Sequence, residues 1–152
     1  MSGTTEIFFY HLERRTLEDV LPTLLLRSVE RGWRATVQAT SEERVEALDS
    51  LLWAFSEESF LPHGTAKDGQ TSAQPIYLTV EGDNPNAAQV RFLLDGAELD
   101  DPSSYQRVVF IFDGRDPEAV TRARTQWQAA RGSGHTVSYW QQDTDGRWQQ
   151  KT

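Results

Sequence analysis

The feature that most restricts the fold is a repeated change of hydrophobic period along the first third of the chain. Glu6-Ile7-Phe8-Phe9-Tyr10-His11 is short, rich in aromatics and closed by a polar break, which predicts a strand buried on both faces. From Leu17 the period lengthens: Val20, Leu21, Leu24, Leu25 and Val29 recur at helical spacing until Gly32 stops the pattern. Thr16 and Asp19 are spaced as a capping box, yet Pro22 then falls deep in the helix, so the helix either kinks there or is regular only from near Asp19. Trp33 to Ala39 predicts a second strand, and Thr40 with Glu43 a second capping box before a helix carrying Val45, Leu48 and Leu52 on one stripe. This alternation favours a parallel sheet covered by helices, because parallel neighbours need a crossover and the crossover is usually helical.

The remainder extends the same plan. Ser56 to Gln74, with Pro62, Gly64 and Gly69 among small polar residues, predicts a long surface loop. Strands are expected over 75–80, over 90–94 before Asp95-Gly96, and over 108–112, where Val108-Val109-Phe110-Ile111-Phe112 is the clearest buried run. Asp116 before Pro117 pairs an N-cap with a proline at the first helical position, so a third helix runs to Arg131 and stops at Gly132-Ser133-Gly134. Thr136 to Gln142 and Arg147 to Gln150, joined at Asp145-Gly146, predict a terminal hairpin. No internal repeat or boundary divides the 152 residues, so the expectation is one α/β domain spanning 1–152, with a mostly parallel central sheet of about six or seven strands flanked by helices.

Several functional classes are disfavoured by the residues themselves. The formal charge of -8 opposes general binding to phosphates, so contact with nucleic acid is expected to be indirect. There is no cysteine, no apolar run of membrane-spanning length and no secretory layout at Met1-Ser2-Gly3-Thr4, which together point to the cytosol and away from a membrane. The first turn, His11-Leu12-Glu13-Arg14-Arg15, has no glycine to admit phosphates, and no G-x-x-x-x-G-K-[ST] occurs, so no nucleotide cofactor is expected. His11, His63 and His135 lack the spacing of metal ligands, and His63 reads better as a shaper of the proline-bearing loop. Adjacent acids such as Asp100-Asp101 do not face a common substrate, and no catalytic constellation emerges.

Two surface features remain. On the second helix Trp53 falls about 80° round from Val45, off the apolar stripe and towards solvent. With Phe60 and Pro62 it can form an aromatic protein-binding patch; alternatively Phe60 and Leu61 tuck under the loop and staple it, and spacing leaves both readings open. On the third helix Val120, Ala123, Trp127 and Ala130 make the apolar stripe, with Arg124, Gln128 and Arg131 along one border. Residues 115–131 hold four arginines against two acids, a local excess of positive charge in an acidic chain. Two guanidinium groups beside a tryptophan edge suit a carboxylate whose apolar neighbour enters a cleft, or they are solvated cations at a helix C-terminus.

Phe8-Phe9-Tyr10-His11-Leu12, Glu30-Arg31-Gly32-Trp33, Leu52-Trp53, Ser59-Phe60-Leu61-Pro62-His63-Gly64, Phe92-Leu93-Leu94-Asp95-Gly96-Ala97, Ile111-Phe112-Asp113-Gly114 and Tyr139-Trp140-Gln141 follow one another here as they do in chi subunits of bacterial DNA polymerase III. The chain resembles that family over nearly its whole length. The resemblance implies a Rossmann-like fold without the phosphate-binding motif and a non-catalytic subunit without cofactor or metal. It also implies a bridge from the clamp loader, through a psi-like subunit, to the acidic C-terminal tail of single-stranded DNA-binding protein. By position, Trp53 and Phe60 match the chi residues that receive psi, with Pro62 beside them; Arg124 matches the principal arginine of the tail site, where Trp127 takes the place of a tyrosine and Arg131 is a supporting base. Val120 and Gln128 stand where lysines occur in other chi proteins, so the tail site here carries less charge. Because psi does not accompany every chi-like protein, a helicase or repair factor is the alternative partner at Trp53; a small nucleotide-binding enzyme is the remaining alternative class.

Overall fold

The computed structural model describes residues 5–56, 62–68, 71–99, 101–145 and 147–151. They form one sheet of eight strands with the order β3-β4-β2-β5-β6-β1-β7-β8. The strands are β1 (Glu6–Leu12), β2 (Ala35–Gln38), β3 (Gly64–Thr65), β4 (Ile76–Thr79), β5 (Val90–Leu94), β6 (Arg107–Asp113), β7 (Thr136–Gln142) and β8 (Trp148–Gln150). All adjacent pairs are parallel except the terminal hairpin of β7 with β8. Every residue of β2, β4 and β5 is buried, as expected of parallel strands covered on both faces.

The three helices are α1 (Leu17–Glu30), α2 (Glu42–Ser56) and α3 (Pro117–Gly132). Alternate residues of β1 separate the two layers they cover. Phe8, Tyr10 and Leu12 join the core beneath α1 and α2, whereas Ile7 and Phe9 join Phe112 and Ala123 beneath α3. This is a Rossmann-like α/β domain, as the resemblance implies, and its largely parallel sheet is the one that the alternation of periods predicts.

Local differences from the sequence reading have local causes. The eighth strand is β3, a two-residue segment inside the region read as loop, where 3-10 turns also occur at Ala66–Asp68 and Thr71–Ala73. Two residues are too few to show a period. Helix α1 begins at Leu17 rather than near Asp19, because the Thr16 and Asp19 side chains satisfy each other's backbone N–H groups at 3.3 Å, and Pro22 lies within the helix. In α2 it is Ser41, not Thr40, whose hydroxyl accepts the backbone N–H of Arg44, at 3.2 Å. The Asp116 cap accepts Glu118 N–H at 3.0 Å, with Pro117 at the first helical position.

Candidate functional site

The third helix presents a cationic border. Ala123 is buried, and Val120, Trp127 and Ala130 are partly buried against Ile7, Phe9 and Phe112, so the predicted stripe faces the sheet. Arg124, Gln128 and Arg131 are exposed on the helix's border, and among the described residues neither arginine is in an ion pair. The Arg131 guanidinium lies 4.8 Å from the Trp127 ring centroid, so the cation and the aromatic stand together at the end of the helix.

Parallel pairing brings a second group of polar residues beside Arg124. His11 at the end of β1 has its Nδ1 2.5 Å from the Tyr139 hydroxyl on β7 and its Nε2 3.3 Å from Glu13 Oε1. Glu13 Oε1 in turn accepts Gln141 Nε2–H at 2.7 Å. Burial pushes the His11 pKa down, with Glu13 opposing and Arg124 reinforcing the shift. Burial raises the Tyr139 pKa while Arg124 draws it down, so one guanidinium faces both groups. A Cβ on residue 114 would overlap the His11 imidazole, which explains Gly114 by close packing. Neither His11 nor Tyr139 stood out in the sequence as part of this site; their proximity comes from β1–β7 pairing.

Two cavities lie away from this border, and Gln126, on the flank of α3 turned from Arg124, lines both. A cleft of about 370 Å³ is walled by Ile7, Leu99, Phe110, Ala129, Ala130 and Ser133, on the opposite flank of α3 from Arg124. A crevice of about 440 Å³ opens at the C-terminal ends of β1, β5 and β6, where nucleotides bind in dinucleotide folds. There Arg44 pairs with Glu18 at 2.8 Å and Asp95 at 3.0 Å, and Arg115 pairs with Asp113 at 3.2 Å. Trp127, Arg124 and Arg131 line neither cavity.

The aromatic patch sits on the other side of the sheet. Trp53 is 61% exposed, as its place off the α2 stripe predicts. Its ring centroid is 4.8 Å from that of His63, whose Nε2 lies 3.1 Å from Asp49 Oδ1 on α2. This contact ties the segment after the loop to the helix and sets half-buried Pro62 nearby in sequence. Phe60 and Leu61 lie outside the described residues. Helix α2 packs over β4 and β3, whereas α3 packs over β6, β7 and β1 on the opposite face. Trp53 and Arg124 therefore stand on different faces and towards different edges of the sheet.

Residues 4–138 match the family model described as DNA polymerase III chi subunit, HolC. Over 90 residues the chain is 29% identical to a probable DNA polymerase III subunit chi of Rickettsia prowazekii (strain Madrid E), an alignment covering 59% of this chain and 54% of that protein. The match thus spans about half of that relative's length.

Proposed function

The chain belongs to the DNA polymerase III chi subunit family, and from that premise we propose that it is a non-catalytic adapter between two protein partners in DNA replication. One partner is the acidic C-terminal tail of single-stranded DNA-binding protein, received by Arg124, Trp127 and Arg131. The other is a psi-like clamp-loader subunit, received by Trp53, Phe60 and Pro62. The observation that carries this reading is the placement, on opposite faces of one sheet, of an exposed tryptophan and an arginine border in no ion pair among the described residues. Two partners engaged there do not exclude each other, which is what a bridge requires.

In this mechanism Arg124 and Arg131 bind the terminal carboxylate and neighbouring acids of the tail, and its last apolar ring packs against Trp127. Charge-assisted hydrogen bonds contribute about 1.5 to 3 kcal/mol when sheltered, and exposed pairs roughly 0.2 to 1 kcal/mol. Both arginines are exposed, so the affinity is modest and falls with salt. Titration of a fluorescent tail peptide into wild type and Arg124→Glu tests this: charge reversal abolishes saturable binding, and equal affinity in both proteins rules the site out. Capture of a helicase in place of a clamp-loader subunit by wild type, but not by Trp53→Ala, would reassign the second patch and leave the first intact.

A further inference from the structure

We infer that the cleft beneath α1 is a second acidic-peptide site, which takes carboxylate side chains from within a partner's chain rather than a chain terminus. Its origin is topological. Strands β5 and β6 lie between β2 and β1, so α1, in joining β1 to β2, crosses over two intervening strands. A helix about 10 to 12 Å wide cannot roof four strands spaced about 4.8 Å apart. The uncovered strip is a cleft of about 480 Å³ between α1 and the sheet.

The walls of that cleft are cationic. Arg27 and Arg31, one turn apart on α1, and Arg107 at the start of β6 line it against a single acid, Glu30. Arg27 and Arg31 are exposed and in no ion pair among the described residues, while Arg107 is 2.8 Å from Glu6. This local excess stands in a chain whose formal charge is -8. Two of the guanidinium groups are already positioned: Arg31 lies 4.1 Å and Arg107 5.2 Å from the Trp33 ring centroid, and Arg107 also lies 4.4 Å from that of Phe8. Held against aromatic faces, they lose less freedom on binding an anion than free side chains would. Leu24 and Tyr10 supply a surface for the short methylene stem of a glutamate. The Tyr10 hydroxyl has no hydrogen-bond partner among the described residues and faces Arg107 and Arg27, so it can donate to a carboxylate.

Charge complementarity thus favours an acidic polypeptide. Single-stranded nucleic acid fits less well, because Trp33 is already engaged by two guanidinium groups and Tyr10 is packed on Trp148 at 4.6 Å, which leaves no free stacking platform. Arg107 is already shared with Glu6, so a carboxylate bound there is held by Arg27 and Arg31, with Arg107 contributing its remaining charge from the strand side.

The test uses full-length protein carrying Arg124→Glu and Arg131→Glu, which removes the proposed tail border, and a fluorescent hexaglutamate peptide with an amidated C-terminus. Binding at low salt should persist, shift the Trp33 indole N–H and Tyr10 resonances, and weaken about tenfold on adding Arg27→Ala and Arg31→Ala. Arg27 on α1 and the C-cap Arg31 are both exposed, so loss of the Arg31–Trp33 contact should lower the melting temperature by only a few degrees; a parallel Arg27→Lys, Arg31→Lys protein should keep part of the affinity. Binding that survives the alanine pair, or produces no shift at Trp33, overturns the inference. So does a twelve-nucleotide oligothymidylate that binds the cleft more tightly than the peptide.

Discussion

Arg91 gives the sharpest test of how this sheet is held together. It is 0% exposed and in no ion pair among the described residues. Its guanidinium donates to Gln38 Oε1 at 3.0 and 2.6 Å, to the Asp83 carbonyl at 2.7 Å, to the Tyr105 hydroxyl at 3.0 Å and to the Glu81 carbonyl. Replacing Arg91 with Met fills much of the volume but orphans these acceptors. Glu81 and Asp83 are exposed residues, so their carbonyls can recover water. Gln38 Oε1 and the Tyr105 hydroxyl belong to buried residues and cannot do so without a shift. At about 1 to 2 kcal/mol for each of these two neutral groups left unsatisfied, Arg91→Met should lower stability by about 2 to 4 kcal/mol. For a domain of this size that is a fall in melting temperature of about 5 to 15 °C, measurable by calorimetry or urea unfolding. Adding Gln38→Leu removes one orphan, and the double variant should recover about 1 to 2 kcal/mol. A single variant within about 1 kcal/mol of wild type, or a double variant with additive losses, would refute the reasoning.

Other outcomes follow from the two faces and from one histidine. Trp53→Ala should leave a folded protein, with a melting temperature lower by only a few degrees because most of the ring is already in water, and should lose its clamp-loader or helicase partner in a pull-down. Loss of folding instead would make Trp53 a structural staple. Burial holds the His11 pKa below the usual histidine value of about 6.5, despite Glu13. On acidification through that value the unfolded chain takes up the proton first, so stability falls with pH until the folded form also protonates, and the slope then vanishes. His11→Gln should therefore flatten the dependence of melting temperature on pH between about 7 and 5, each protein being compared with its own value at neutral pH; an unchanged slope would assign the acid sensitivity to other groups.

The parts of this molecule that were legible in its sequence are those governed by neighbours in the chain. Asp116-Pro117 fixed where α3 begins, and helical spacing put Arg124 and Arg131 on its outer border. The same spacing put Trp53 outside the α2 stripe. Less visible were features made by the sheet. His11 and Tyr139 are 128 residues apart and meet only because β1 pairs with both β6 and β7. Arg91 sits in a strand run where a lone arginine ordinarily marks a solvent face. Here the segments carrying Glu81, Asp83 and Tyr105 close over it and take up its donors. The cleft under α1 depends on strand order, which no local pattern records.

Strand order also explains why a nucleotide-like fold here is expected to work as a binding scaffold. The crossovers from β1 and β6 run to opposite sides of the sheet, and the crevice of about 440 Å³ lies where they part. In a dinucleotide enzyme that point offers backbone N–H groups behind glycine. In this chain the first turn has none, Gly96 lies against the Arg122 side chain, and Arg44 and Arg115 are engaged by Glu18, Asp95 and Asp113. Arg15 and Arg122 also line the crevice and are in no ion pair among the described residues, but Glu18, Asp95, Asp113 and Asp116 balance its arginines, so a phosphate entering it would lie beside carboxylate charges with no net positive charge to draw it in. Millimolar ATP should consequently leave the melting temperature unchanged, since a ligand at about a hundred times its Kd would add about 2.7 kcal/mol and shift it by several degrees. A shift of that size, abolished by Arg122→Ala, would mean that the crevice has kept a phosphate site after all.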